Sequence, residues 1–169
     1  PPSKLFYILE PMFSYLLDDE PKKVLSEKGV LIRRKLNILI KKIGPKFLTN
    51  PQIIENRKKL INPDSKEEDE EIKIPEGPII WVANHAFKDD VLATVLTAKK
   101  HSYILFGSLP QFFNTFDGVT SWINGVVMSN RKVKSSKRAS IDKANTVIDM
   151  GADLIVFPEG VWNKSPNEP

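Results

Sequence analysis

The chain has 169 residues, 41% hydrophobic and 27% charged, which suits one domain with a buried core and an appended arm. It contains no cysteine and two histidines, so disulfides and cysteine-ligated metals are excluded and a His-rich metal site is not expected. The net charge of +4 is uneven: residues 1–60 hold 13 basic and 6 acidic side chains, residues 61–76 hold 2 and 7, and residues 77–169 hold 10 and 8. The chain opens on Pro1-Pro2 and stops at Pro169, and both ends read as cut.

The longest apolar stretch, Leu5 to Leu17, carries Glu10 and Pro11. It is too short to span a bilayer and lacks the basic start and cleavage site of a secretory signal. From Pro21 to Ile43 the spacing predicts a helix. Leu25, Ile32, Leu36, Leu39 and Ile43 share one face, with Val24, Leu31 and Ile40 alongside. Lys22, Lys23, Arg33, Arg34, Lys41 and Lys42 fill much of the remainder, and Gly44-Pro45 is a stop signal. Asn50-Pro51 looks like the start of a short helix to about Ile61. Residues 1–62 therefore read as a basic amphipathic helical arm. Its apolar face can pack on its own domain, rest on an anionic membrane surface, or do both. Residues 63–76, entered through Asn62-Pro63-Asp64, form a like-charge run and read as a solvated acidic linker.

Residues 77–169 change rhythm. Ile79–Ala83, Val126–Met128 and Leu154–Phe157 are short apolar runs that read as buried strands, with Tyr103–Phe106 as a fourth. Asp89 or Asp90 can cap a helix through Lys100. Ser135 or Ser136 can cap another to about Met150, with Ile141, Ala144 and Ile148 on one face and Gly151 as its stop. Strands separated by helices imply an α/β fold with a mostly parallel sheet. Each of the three runs ends in polar residues: Asn84-His85, Ser129-Asn130-Arg131 and Pro158-Glu159-Gly160. Parallel strands bring His85, Arg131 and Glu159 to the carboxyl edge, where ligands bind. His85 and Asp90 would sit roughly 140° apart on one helix, so they meet only if a turn intervenes. A carboxylate on one imidazole nitrogen would then leave the other to take a hydroxyl proton. His101 has no such partner nearby and reads as a surface residue.

Three blocks in order match a known pattern. Asn84–Asp90, NHAFKDD, resembles the N-H-x4-D motif of glycerolipid acyltransferases, the family that includes the 1-acylglycerol-3-phosphate acyltransferases. Gly125–Arg131, GVVMSNR, resembles their second block, and Val156–Pro166, centred on F-P-E-G, their third. The resemblance covers Ile74 to Pro166 and not the arm. Val161 stands where the family more often has a small polar residue. The family carries a further block on a later strand, so the sheet is expected to be incomplete at its C-terminus.

The resemblance implies His85 as general base and Asp90 as its orienting partner. It implies acceptor contacts at Asn84, Gly125, Arg131, Phe157, Pro158, Glu159 and Gly160, with Arg131 holding a phosphate. Lys132, Lys134, Lys137 and Arg138 are candidate phosphate contacts, or a solvated loop. The implied reaction moves an acyl group from acyl-CoA or acyl carrier protein to the hydroxyl of a lysophospholipid, peripherally at the cytoplasmic face of a membrane. No metal or bound cofactor is implied. Competing readings are another acceptor (glycerol-3-phosphate or a lyso-aminolipid), a non-catalytic module for anionic lipid, and a phosphoester hydrolase. The last is disfavoured because no carboxylate cluster offers a metal site. Nucleic acid is a poor partner, because no aromatic-interleaved basic surface occurs. Phe112, Phe113, Phe116 and Trp122 suit a core, or else an acyl-chain groove or membrane contact. Trp81 reads as core, and Trp162 could wall the acceptor site.

Overall fold

The computed structural model describes residues 3–17, 26–48, 75–85, 89–98, 100–107 and 116–160. Among these, the helices are α1 (Lys4–Leu17), α2 (Glu27–Ile43), α3 (Asp90–Thr97), α4 (Phe116–Asn124) and α5 (Lys134–Asp149). The strands are β1 (Ile80–Val82), β2 (Ser102–Phe106), β3 (Val126–Met128) and β4 (Asp153–Val156). They form one parallel sheet in the order β1-β4-β2-β3, so the fold is α/β with flanking helices. All four strand expectations hold to within a residue or two. The expected helix over 51–61 and the acidic segment to residue 74 lie outside the described residues.

The runs at β2, β3 and β4 are continuous because helices cover both faces there, whereas Ile80 and Val82 of the edge strand β1 are 55% and 68% exposed. Ile104, Val126, Met128 and Ile155 face a core shared with Ile40 of α2, Val91, Leu92 and Val95 of α3, and Trp122 of α4. Their neighbours Tyr103, Val127 and Leu154 face the opposite way, onto Ala144 and Val147 of α5. Trp81 packs against the first core, and its Nε1–H donates to Asp153 Oδ2 at 2.8 Å. Asp153 Oδ1 also accepts from the Ile79 N–H at 2.9 Å. One buried carboxylate thus sets the alignment of β1 against β4.

Two expectations about α5 change. Ser135 and Ser136 do not cap it: Val133 stands at the N-cap, and Ser136 Oγ instead accepts from the Asn130 N–H at 2.9 Å. Ile141 is 62% exposed, and the inward face runs through Ser136, Ser140, Lys143, Ala144 and Val147. The helix stops at Gly151, whose φ of +79° suits a residue without a side chain.

The arm also turns differently from expectation. The described part of its second helix is capped by Ser26, whose side chain accepts from the Gly29 N–H. Its buried face is Val30, Arg33, Asn37 and Ile40, whereas Leu31, Leu39 and Ile43 point to solvent. Arg33, expected on the polar side, has no exposed surface. Its guanidinium donates to the carbonyls of Trp122 (2.7 Å) and Ile123 (3.2 Å), at the C-terminal end of α4. It also donates to Tyr7 (3.1 Å) and Ile8 in α1. Pro11 lies inside α1 and has no N–H for the Tyr7 carbonyl four residues earlier, so Arg33 supplies the missing donor. Burial lowers the Arg33 pKa, and the charges of Tyr103 and Glu10 oppose that shift.

His101 is corrected from surface to core, at 5% exposure. Its Nε2–H donates to the Asn124 carbonyl at 2.6 Å, which fixes the neutral tautomer. Burial, opposed by that hydrogen bond, lowers its pKa from 6.5 to about 4, with nearby Arg33, Arg34 and Lys41 pushing the same way as burial. Among the described residues no helix is long and apolar enough to cross a membrane.

A histidine whose folded pKa is depressed contributes stability that is present above its unfolded pKa and lost as pH falls through the folded one. The fold should therefore weaken between pH 6.5 and about 4, by on the order of 3 kcal/mol from this group. Burial raises the Glu10 pKa, which acts in the opposite sense. The contribution is isolated by comparing urea midpoints of the parent and His101→Gln across that range. Parallel curves would remove His101 as the source.

Candidate active site

The carboxyl ends of the strands gather the chemically useful residues. Beyond Val82, the Ala83 N–H still donates to Val156 at 3.1 Å, so β1 and β4 stay side by side up to the site. The chain then leaves the sheet and enters α3 at Asp90. This break lets residues five apart meet. His85 Nδ1 lies 3.0 and 2.9 Å from the two Asp90 carboxylate oxygens. The His85 side chain is 26% exposed and that of Asp90 12%, so the pair is sheltered but reachable. The carboxylate favours the tautomer that carries its proton on Nδ1.

The turn after β4 packs on this pair. The Phe157 ring lies 5.0 Å from the His85 ring, tilted by 41°. Glu159 Oε2 accepts from the His85 backbone N–H at 3.4 Å, so the carboxylate steadies the His85 backbone rather than its ring. The Gly160 N–H closes the turn onto the Phe157 carbonyl at 2.9 Å, and Gly160 has φ +66°.

Arg131 arrives from β3. The Asn130 N–H donates to Ser136 Oγ and the Lys132 N–H to Asn130 Oδ1 at 3.1 Å, which shapes the loop that carries it. Arg131 Nη2 donates to the Gly160 carbonyl, so the guanidinium lies over the turn that also supports His85. His85, Asp90, Arg131, Phe157, Glu159 and Gly160 are thus brought to one edge. Asn84 and Pro158 are exposed beside them. Lys132, Lys134, Lys137 and Arg138 are exposed along the start of α5, next to Arg131.

Gly125 stands apart. It precedes β3, at the opposite edge of the sheet from His85. It is buried, with φ +135°, and a Cβ there would lie 2.7 Å from the Tyr103 ring. Its glycine is required by the fold. Trp122 lies in the core, whereas Phe112, Phe113 and Trp162 lie outside the described residues. The sequence reading passed over Gly107, which follows β2 and lies against the Arg131 guanidinium. A glycine directly after a strand was its only local signal.

A parallel α/β sheet with a carboxylate-held histidine and a fixed arginine at its carboxyl edge suits group transfer to an anionic acceptor. The family model described as Acyltransferase matches residues 57–167, and the chain belongs to that family. It is accordingly a transferase of acyl groups. Comparisons with curated proteins and with solved structures returned no match.

Gly125→Ala should lose about 3 kcal/mol of stability, because it combines an unfavourable φ with overlap on a buried ring. A denaturant titration reads this directly. Unchanged stability with weaker acceptor binding would instead place Gly125 in the acceptor site.

Proposed function

We propose that the chain transfers a fatty acyl group from an acyl-CoA or acyl-carrier-protein thioester to a hydroxyl of lysophosphatidic acid, as a step of phospholipid synthesis. The observation that carries this reading is the Asp90–His85 pair, which packs on the turn after β4, the same turn whose Gly160 carbonyl accepts from Arg131. His85 Nε2 takes the proton of the acceptor hydroxyl as its oxygen attacks the thioester carbonyl. The tetrahedral intermediate collapses, the C–S bond breaks, and the imidazolium returns the proton to the departing thiolate. Asp90 stabilises the transient imidazolium and holds the ring in place. Arg131 supplies a fixed cation for the acceptor phosphate. With no cysteine in the chain, direct transfer without an acyl-enzyme is the simpler route.

Work at the cytoplasmic face of a membrane is part of the same proposal. The outward face of α2 presents Leu31, Ile38 and Leu39, 53%, 68% and 52% exposed. Arg34, Lys35 and Lys42 are exposed among them. Aliphatic side chains interleaved with cations suit a shallow seat on anionic headgroups, with each cation worth about 1 kcal/mol there.

His85→Ala and Asp90→Asn should each lower acyl transfer to lysophosphatidic acid by roughly 100-fold or more while the thermal transition stays in place. Turnover by His85→Ala at the parent rate would end the general-base assignment. In vesicle sedimentation, the chain should bind phosphatidylserine-containing vesicles better than phosphatidylcholine alone. Lys35→Glu/Lys42→Glu should abolish that difference, and a parent chain that does not distinguish the two lipids would defeat the membrane assignment.

A further inference from the structure

Strand order creates a problem of reach for Arg131. It follows β3, but its hydrogen-bond partner, Gly160, follows β4, and β2 lies between them. Neighbouring strands stand about 4.8 Å apart, so β3 and β4 are roughly 10 Å apart. The arginine side chain must therefore pass over the end of β2. The residue at that end is Gly107. A Cβ built on Gly107 would overlap Arg131 Nε and stand 2.6 Å from Cζ. On the far side, a Cβ at Gly160 would lie 3.0 Å from Nη2. The guanidinium thus lies in a slot walled by two glycines, one directly after β2 and one in the turn that follows β4.

The geometry points to Gly107 as a positioning residue. Its missing side chain leaves the path by which Arg131 crosses β2 and holds its cation against the His85 side of the crevice. Any side chain at 107 pushes the guanidinium back toward β3 or out into solvent. The cation then no longer sits at a fixed separation from the base, and an acceptor phosphate gripped by Arg131 no longer presents its hydroxyl to His85. Gly107 acts through Arg131 and touches no substrate in this role. The inference rests on the acyl-transfer reading only for its choice of ligand, a phosphate monoester on a glycerol.

The test is a double-mutant cycle in the full chain, read by calorimetric binding of glycerol 3-phosphate, which requires no turnover. Gly107→Ala should weaken binding about tenfold, Arg131→Ala should weaken it at least as much, and the double variant should bind no worse than Arg131→Ala alone. Gly107→Ser provides a second variant and should behave like Gly107→Ala, and unfolding curves identify any variant that has lost its fold. Parent-like binding by folded Gly107→Ala, or additive losses in the double variant, would overturn the inference. Absence of binding by the parent would overturn it too. Turnover with lysophosphatidic acid is measured separately: its absence in the parent refutes the proposed reaction, while the binding cycle still decides the role of Gly107.

Discussion

The arrangement depends on one buried cation. Arg33 has no exposed surface and donates to carbonyls in two other helices, Tyr7 and Ile8 in α1 and Trp122 and Ile123 at the end of α4. A guanidinium taken out of water is costly unless its donors are used, and each hydrogen bond to a charged group contributes about 1.5–3 kcal/mol. Here the acceptors are groups that would otherwise be left short. The last carbonyls of a helix have no intrahelical partner and carry its negative dipole end. The Tyr7 carbonyl loses its partner to Pro11. One side chain satisfies both defects and holds the arm against the base of the sheet. Around it, Asn37 and Asn124 are joined by a hydrogen bond, and Asn124 and His101 by another, so the polar contacts beneath the sheet form a linked set.

The opposite edge is organised by strand order. Asp153 aligns β1 with β4, which places His85 beside Phe157 and Glu159. Because β4 lies inside the sheet, both of its neighbours end at the same crevice. Arg131, one strand further out, reaches it only through the opening at Gly107. The site is thus assembled from three loops whose spacing is set by backbone pairing, while its polar groups sit where they cannot disturb the apolar layers below.

Much of the fold was legible. The runs at β2, β3 and β4 are continuously apolar because they are covered on both faces, and the polar residues at the run ends mark the edge where the sheet opens. The misreadings share a cause. In α2 the apolar residues spread around more than half the helix, so periodicity did not single out the buried side. In α5, hydrophobicity groups Ile141 with Ala144 and Ile148, although the buried face runs through Ser136, Ser140, Lys143, Ala144 and Val147. His101 and Arg33 were placed outside because their types usually are, and only their carbonyl partners reverse that. The His101 partner lies 23 residues away, and those of Arg33 lie 25 to 90 residues away.

What the sequence by itself determined is local: strand and helix types, the break between His85 and Asp90 that lets them pair, and the order of the three motifs. These follow from periodicity, turn residues and side-chain chemistry over a few positions. Only the tertiary structure decided which face of α2 is buried, that Glu159 steadies the His85 backbone, that Gly125 serves the core, and that Arg131 crosses β2. Each of those depends on which strands are neighbours and which carbonyls lack donors. Both arise from contacts between segments distant in the chain, and no local pattern encodes them.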